Sequence, residues 1–136
     1  MSIREARRHV EKARAQLDQA SIDSWEPPDP GSCISNVFYA YENLVVAVAE
    51  AHNIPWKKIH SEKAKLAAKL HKEGKLSRDL SEELPRLNDL RKDVHYGFPG
   101  NQLEGEDLES LVSDLEATLD EVDGSVRDLE EGKDNE

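Results

Sequence analysis

The chain has 136 residues, of which 29 are acidic and 18 basic, for a net charge of −11. Such a length holds one hydrophobic core and not two, and no apolar run approaches the ~20 residues of a spanning helix, which excludes a helical membrane protein. The acidic balance and an aromatic content of 5% argue against a protein that coats nucleic acid indiscriminately. The first eight residues are already charged at Arg4, Glu5, Arg7 and Arg8, so no signal peptide is expected. The single Cys33 rules out an intramolecular disulfide and a Cys-rich metal site, and fits a reducing cytoplasm, the expected location.

Residues 2–20 place Ile3, Ala6, Val10, Ala13, Leu17 and Ala20 at spacings of three and four, which predicts a helix with one apolar face. Three prolines and a glycine between Trp25 and Gly31 then break the chain. A second helix is predicted over 32–53, with Ser32 as its cap. Ile34, Phe38, Tyr41, Val45 and Val48 form one apolar stripe along it. Val37, Ala40, Leu44, Ala47 and Ala51 form another, of smaller residues. With Glu42 and Glu50 as its only acids, such a helix belongs at the centre of a bundle or at an interface between copies. The small stripe would let a second copy approach closely.

Asn53 to Trp56 reads as a turn. A third helix is predicted over 57–73, burying Ile59, Leu66, Ala67 and Leu70 and stopped by Gly74. A fourth begins near Ser77 and carries Leu80, Leu84, Leu87, Leu90 and Val94. Pro85 inside it means either a kink or a fresh helix with proline in its first turn. Gly97 to Gly100 ends this element. The last helix, over 104–130, carries Leu108, Leu111, Val112, Leu115, Leu119, Val122, Val126 and Leu129. Acids crowd its first turn, where the helix dipole favours them, and Gly124 weakens its distal part. Residues 131–136 are expected to be a frayed acidic tail. No strand pattern appears. The expected fold is all-α: one domain over 1–130, a five-helix bundle around a central apolar helix.

Charge is distributed unevenly along this plan. Residues 57–78 carry eight bases and two acids, whereas 101–136 carry two bases and fourteen acids. The two elements fit solvated faces or mutual complementarity. They also fit a phosphate-contacting surface, with Lys57, Lys58, Lys65, Lys69 and Lys72 as RNA contacts, tuned by an acidic partner helix.

No glycine-rich phosphate loop, zinc-ligand spacing or nucleophile elbow is present, so neither metal nor cofactor is expected. His9, His60 and His71 read as solvated helix residues. His52 reads as an imidazolium set against the C-terminal dipole of the second helix. The segment from Leu90 to Gly97 differs. Arg91 and His95 stand four residues apart and so share a helix face, with Asn88 one turn before and Asp93 and Tyr96 beside them. Histidine moves protons near neutrality, and an adjacent arginine can hold a phosphate or developing negative charge. Such a pair suits RNA cleavage without metal, Arg91 clamping the scissile phosphate and His95 exchanging a proton with the attacking or leaving oxygen. The same residues also fit a helix end with a cationic last turn, His95 capping it and Tyr96 filling the core.

The chain resembles the HEPN domain family over roughly 1–130. The resemblance rests on the Tyr/Ala-rich helix from Ser35 to His52, on the order of the helices, and on the run from Leu90 to Tyr96. That run is similar to the family's Arg-x-His ribonuclease motif, with three residues between Arg91 and His95 where the family has four to six. The resemblance implies a homodimer whose Arg91 and His95 meet in a shared cleft, with Asn88, Asp93 and Tyr96 as supporting or modified residues. It further implies a metal-independent endoribonuclease of toxin–antitoxin or phage-defence type. Its antitoxin would be a nucleotidyltransferase that modifies a tyrosine close to the histidine; Tyr96 lies near that place, directly after the histidine rather than two residues on. Other members of the family are non-catalytic dimerisation or interaction modules, and this reading stays open. The ribonuclease reading requires the Lys stripe of 57–78 to face the same side as Arg91, and the dimer is expected to use the central helix together with Arg91–Tyr96.

Overall fold

The computed structural model describes residues 2–25, 27–95 and 106–134, with the backbone alone for 94, 95, 133 and 134. Five helices follow in order: α1 (Ile3–Asp23), α2 (Pro30–Ala51), α3 (His60–Lys72), α4 (Glu83–His95) and α5 (Leu108–Asp134). The described residues are all-α. None of these helices is long and apolar enough to cross a membrane.

The helix ends follow local chemistry. Ser2 accepts a hydrogen bond from the Glu5 N–H and starts α1. Asp29, not Ser32, caps α2: its side chain accepts from the Ser32 N–H, and Pro30 occupies the first turn, where its missing N–H costs nothing. Such a cap contributes about 1 kcal/mol. At the far end Asn53 takes a left-handed φ of 58°, and the Ile54 N–H closes onto the Ala49 carbonyl. Gly74 does the same for α3 with a φ of 76°. The Pro85 ambiguity resolves as a fresh start, because α4 begins at Glu83 with proline in its first turn, and Leu80 is buried from the preceding loop. Asp107 accepts from the Ser110 N–H and hydroxyl at the start of α5. That helix runs through Gly124 to Asp134, beyond the fraying expected from 131.

α2 is the axis of the bundle. Both of its stripes are buried within the protomer: Ile34, Phe38, Tyr41 and Val45 on one, Val37, Ala40, Leu44 and Ala47 on the other. The small stripe therefore does not wait for a second copy. α1 brings Ala6, Val10, Ala13, Leu17 and Ala20 into the same core, and no other helix runs so closely along α2. Small residues on both helices permit this approach. Ile59, expected in the core, is the residue before α3 and stands 54% exposed.

α5 packs on α1 and α2, whereas α3 packs on α2 and α4. The acidic and basic helices thus occupy different flanks of the axis. The segment between α3 and α4 reaches α5: the Ser77 N–H and hydroxyl donate to Glu121 at 2.9 and 2.6 Å.

Candidate functional site

Arg91 lies on the third turn of α4. Its Nε and Nη2 donate to Asn88 Oδ1 at 3.2 and 2.7 Å, one turn back on the helix. Its guanidinium carbon stands 5.4 Å from the Phe38 ring centre and 5.3 Å from that of Tyr39, both on α2. The rings' negative faces attract the cation and hold its plane. Asn88, singled out as a supporting residue, is the acceptor in both of these bonds. Asp93, which the spacing brings near, makes no ion pair with it among the described residues.

Two arginines, the exposed Arg4 and the half-buried Arg91, meet no carboxylate among the described residues, and of the two only Arg91 is held in place by other groups. Among the described residues Arg7, Arg8, Arg14, Arg78, Arg86 and Arg127 each meet a carboxylate. Arg91 is instead held by a neutral amide and two rings, so its charge is not cancelled by an ion pair. An arginine fixed in direction and left unneutralised suits a phosphate or carboxylate from outside. The His95 side chain and Tyr96 lie outside the described residues, as does the segment from Gly97 to Gly100.

A family model for the HEPN domain matches residues 6–125. The chain belongs to the HEPN family. It finds no match among curated proteins or solved structures.

Beside Arg91 the HEPN core holds an arrangement the sequence pattern did not suggest. Glu42 is 3% exposed on α2, in the middle of the bundle. A carboxylate buried there needs partners, because losing its hydration costs several kcal/mol. His60 Nδ1 donates to its Oε2 at 2.6 Å, and Lys63 Nζ approaches Oε1 at 3.5 Å. The His60 ring packs edge-on against Phe38, centres 5.2 Å apart, and lies 6.3 Å from Tyr39. His60 and Arg91 thus flank one aromatic pair. His60 and His9 are half-buried and partnered rather than solvated, whereas His71 is an exposed helix residue as expected. His9 Nδ1 pairs with Asn43 Oδ1 at 2.9 Å, and His71 Nδ1 donates to the Leu76 carbonyl at 3.0 Å. A signal did exist for His60: an acid inside an otherwise apolar helix implies a buried partner.

His52 does take the C-cap of α2. Its imidazolium is nevertheless disfavoured, because burial and the nearby Lys75 outweigh the pull of Glu73 and push its pKa down. The expected charged cap is thus held toward the neutral form.

Lys57, Lys65 and Lys69 line a separate groove with Trp56, Ile54, Pro55, Glu62 and Leu66. Trp56 is anchored by its indole N–H, which donates to Glu50 at 2.9 Å. That bond leads the effects that hold the Glu50 carboxyl below its ordinary range. Lys58 and Lys72 are exposed and lie outside this lining. A second cleft, on the Arg91 side, is lined by His60, Ser61 and Ala64 from α3, by Leu84, Pro85, Asn88 and Asp89 from α4, and by Phe38 beneath. At about 100° per residue, positions 60, 61 and 64 and positions 62, 65, 66 and 69 occupy nearly opposite sides of α3. The Lys groove and the Arg91 side are therefore not one surface, contrary to the expectation that they face together.

Proposed function

We propose that this HEPN protein is a metal-independent endoribonuclease that works as a homodimer, with Arg91 and His95 of each copy in a shared cleft. The observation that carries the reading is the state of Arg91: oriented by Asn88, stacked on Phe38 and Tyr39, and met by no carboxylate among the described residues. His95 follows it by one helical turn. In this reading Arg91 holds the non-bridging oxygens of the scissile phosphate. The ribose 2′-oxygen attacks phosphorus, the bond to the 5′-oxygen breaks, and a cyclic phosphate and a 5′-hydroxyl result. One His95 takes the 2′-hydroxyl proton and the other protonates the leaving 5′-oxygen. The dimer is assigned to the α4 side, since the small stripe of α2 is spent inside the protomer. A toxin or phage-defence role, in the cytoplasm, with a nucleotidyltransferase that modifies Tyr96 as antitoxin, belongs to the same proposal.

A second reading, a binding module that no longer cleaves, is favoured by the shortened spacing of three residues between Arg91 and His95 and by the Lys groove, which does not share the Arg91 side as the ribonuclease reading required. One experiment separates the two. A labelled RNA pool is incubated in EDTA with wild type, Arg91→Ala and His95→Ala. Cleavage by the wild type that both variants lose supports the enzyme. A folded wild type that leaves RNA intact sinks it and favours the module. Light scattering that finds a monomer at micromolar concentration removes the shared cleft.

A further inference from the structure

The cleft between α3 and α4, about 140 Å³, has a chemistry of its own. A carboxylate offers only lone pairs, so the Glu42 contact holds a proton on Nδ1 and turns Nε2 outward; in the imidazolium form, the one that can contact a phosphate, Nε2 carries a second N–H there. Nε2 has no partner among the described residues, and the His60 side chain is 42% exposed. On the facing wall Asn88 gives its Oδ1 to Arg91, which leaves its NH₂ group, two donors, without a partner among the described residues. Ser61 adds a hydroxyl, and Ile59 supplies no side-chain cap to the first N–H groups of α3. Lys63 and Arg91 stand behind the two walls as positive charge, and Glu42 answers the first of them. One group opposes an anion, Asp89, on the rim.

We infer that this cleft is a phosphate subsite for the RNA strand, with His60 and Asn88 as its contacts and Glu42 as the residue that positions His60. The inference rests on the RNA reading above but concerns a different phosphate from the one cleaved. Donors from two helices converge there, each held by a second residue, which is how an oxyanion site is preorganised.

The test uses the full-length protein in two arms. In the first, inorganic phosphate is titrated while the ring nitrogens of His60 and the amide group of Asn88 are followed by ¹⁵N NMR. Saturable shifts at both, absent in His60→Ala, are expected. Shifts confined to Lys57, Lys65 and Lys69 would overturn the subsite. In the second, binding of a fluorescent 2′-O-methyl oligoribonucleotide, which cannot undergo 2′-oxygen attack, is measured by anisotropy. His60→Ala should weaken it about fivefold, and Asp89→Asn, on an exposed rim, should tighten it about twofold. Unchanged affinity in both variants overturns the inference and leaves the ribonuclease reading standing. Phosphate binding at His60 without any RNA binding supports the subsite and overturns its assignment to RNA. In Glu42→Gln without phosphate, at a pH where the imidazole is neutral, the His60 ¹⁵N pattern should move from a single tautomer to a mixture with the helices intact. A pattern that does not move removes Glu42 from its positioning role.

Discussion

Arg7 and Arg91 are both half-buried against the bundle, and the chain surrounds them differently. Arg7, on α1, donates to Asp123 and, at 2.8 Å, to Glu130, both on α5, and reaches Glu11 at 3.4 Å. Asp123 also receives Arg14 at 3.4 Å and Arg127 at 3.1 Å. Every charge there has an answer, and the result is a lock between two helices. The hydrogen bond with Glu130 leads the effects that raise the Arg7 pKa further still. Arg91 has the opposite surroundings: a neutral amide, two rings and no carboxylate among the described residues. One arginine is placed so that its charge is consumed inside the fold. The other is placed so that its direction is fixed and its charge is left over. The proposed role of Arg91 rests on this difference and not on the motif alone.

The largest effect that tests the contrast is on the Arg91 side. Arg91→Ala should lower RNA cleavage by about 10²–10³-fold, the usual loss when a donor to developing anionic charge is removed. Its urea midpoint should change by no more than the cation–π contact is worth, about 1 kcal/mol. Arg91→Lys keeps the charge but loses the planar fork and the stacking, and should recover less than a tenth of the lost rate. Asp123→Ala is the mirror experiment. It leaves three guanidinium groups short of an acceptor and should cost about 2–3 kcal/mol in urea denaturation, with the cleavage rate per folded protein unchanged. A loss of rate in folded Asp123→Ala would break the comparison.

Acid sharpens it. Burial pushes the Asp123 carboxyl up, but its hydrogen bond to Arg7 and the charges of Arg7, Arg127 and Arg14 outweigh burial and hold it below the ordinary 3.8. The folded state therefore holds that proton less tightly than the unfolded chain does. The stabilisation is complete above pH 3.8 and is lost as pH falls through the lower folded value. Urea midpoints measured downward from pH 6 should fall more steeply in the wild type than in Asp123→Ala over that acid window. Parallel curves would mean the α1–α5 lock contributes nothing.

Much of this bundle is legible in the residues. The α1 stripe of Ala6, Val10, Ala13, Leu17 and Ala20 is buried as its period demands, and the all-round apolar α2 lies at the centre. Period reports which face is buried but not by what. The small stripe of α2 fits another copy and α1 equally well, and α1 takes it. Caps and breaks were ambiguous for a local reason: Asp29 and Ser32 both suit a cap, and only the tolerance of Pro30 at the first position decides between them. Within the candidate site, Asn88 and Arg91 were readable because they lie one turn apart on one helix. His60 was not, because Glu42 lies 18 residues away on another helix. Nor does a linear pattern report that Phe38 and Tyr39 gather both His60 and Arg91.

Converting one kind of arginine site into the other is the subtlest test. Asn88→Asp replaces the amide oxygen that now accepts from Arg91 with a carboxylate of nearly the same shape, one turn away on α4. The pair would then resemble the exposed ion pairs elsewhere on this chain, such as Arg8 with Glu5, which contribute about 0–1 kcal/mol. Stability should therefore rise slightly or not at all. Function should respond more, because the guanidinium is now answered within the fold and a negative charge faces the incoming phosphate. A fall of about tenfold in cleavage, carried by both kcat and KM, is expected. Salt should restore part of the KM component, since it screens the new charge from the RNA. If Asn88→Asp instead cleaves as well as wild type, the neutrality of Arg91's surroundings is incidental, and the contrast with Arg7 is one of packing alone.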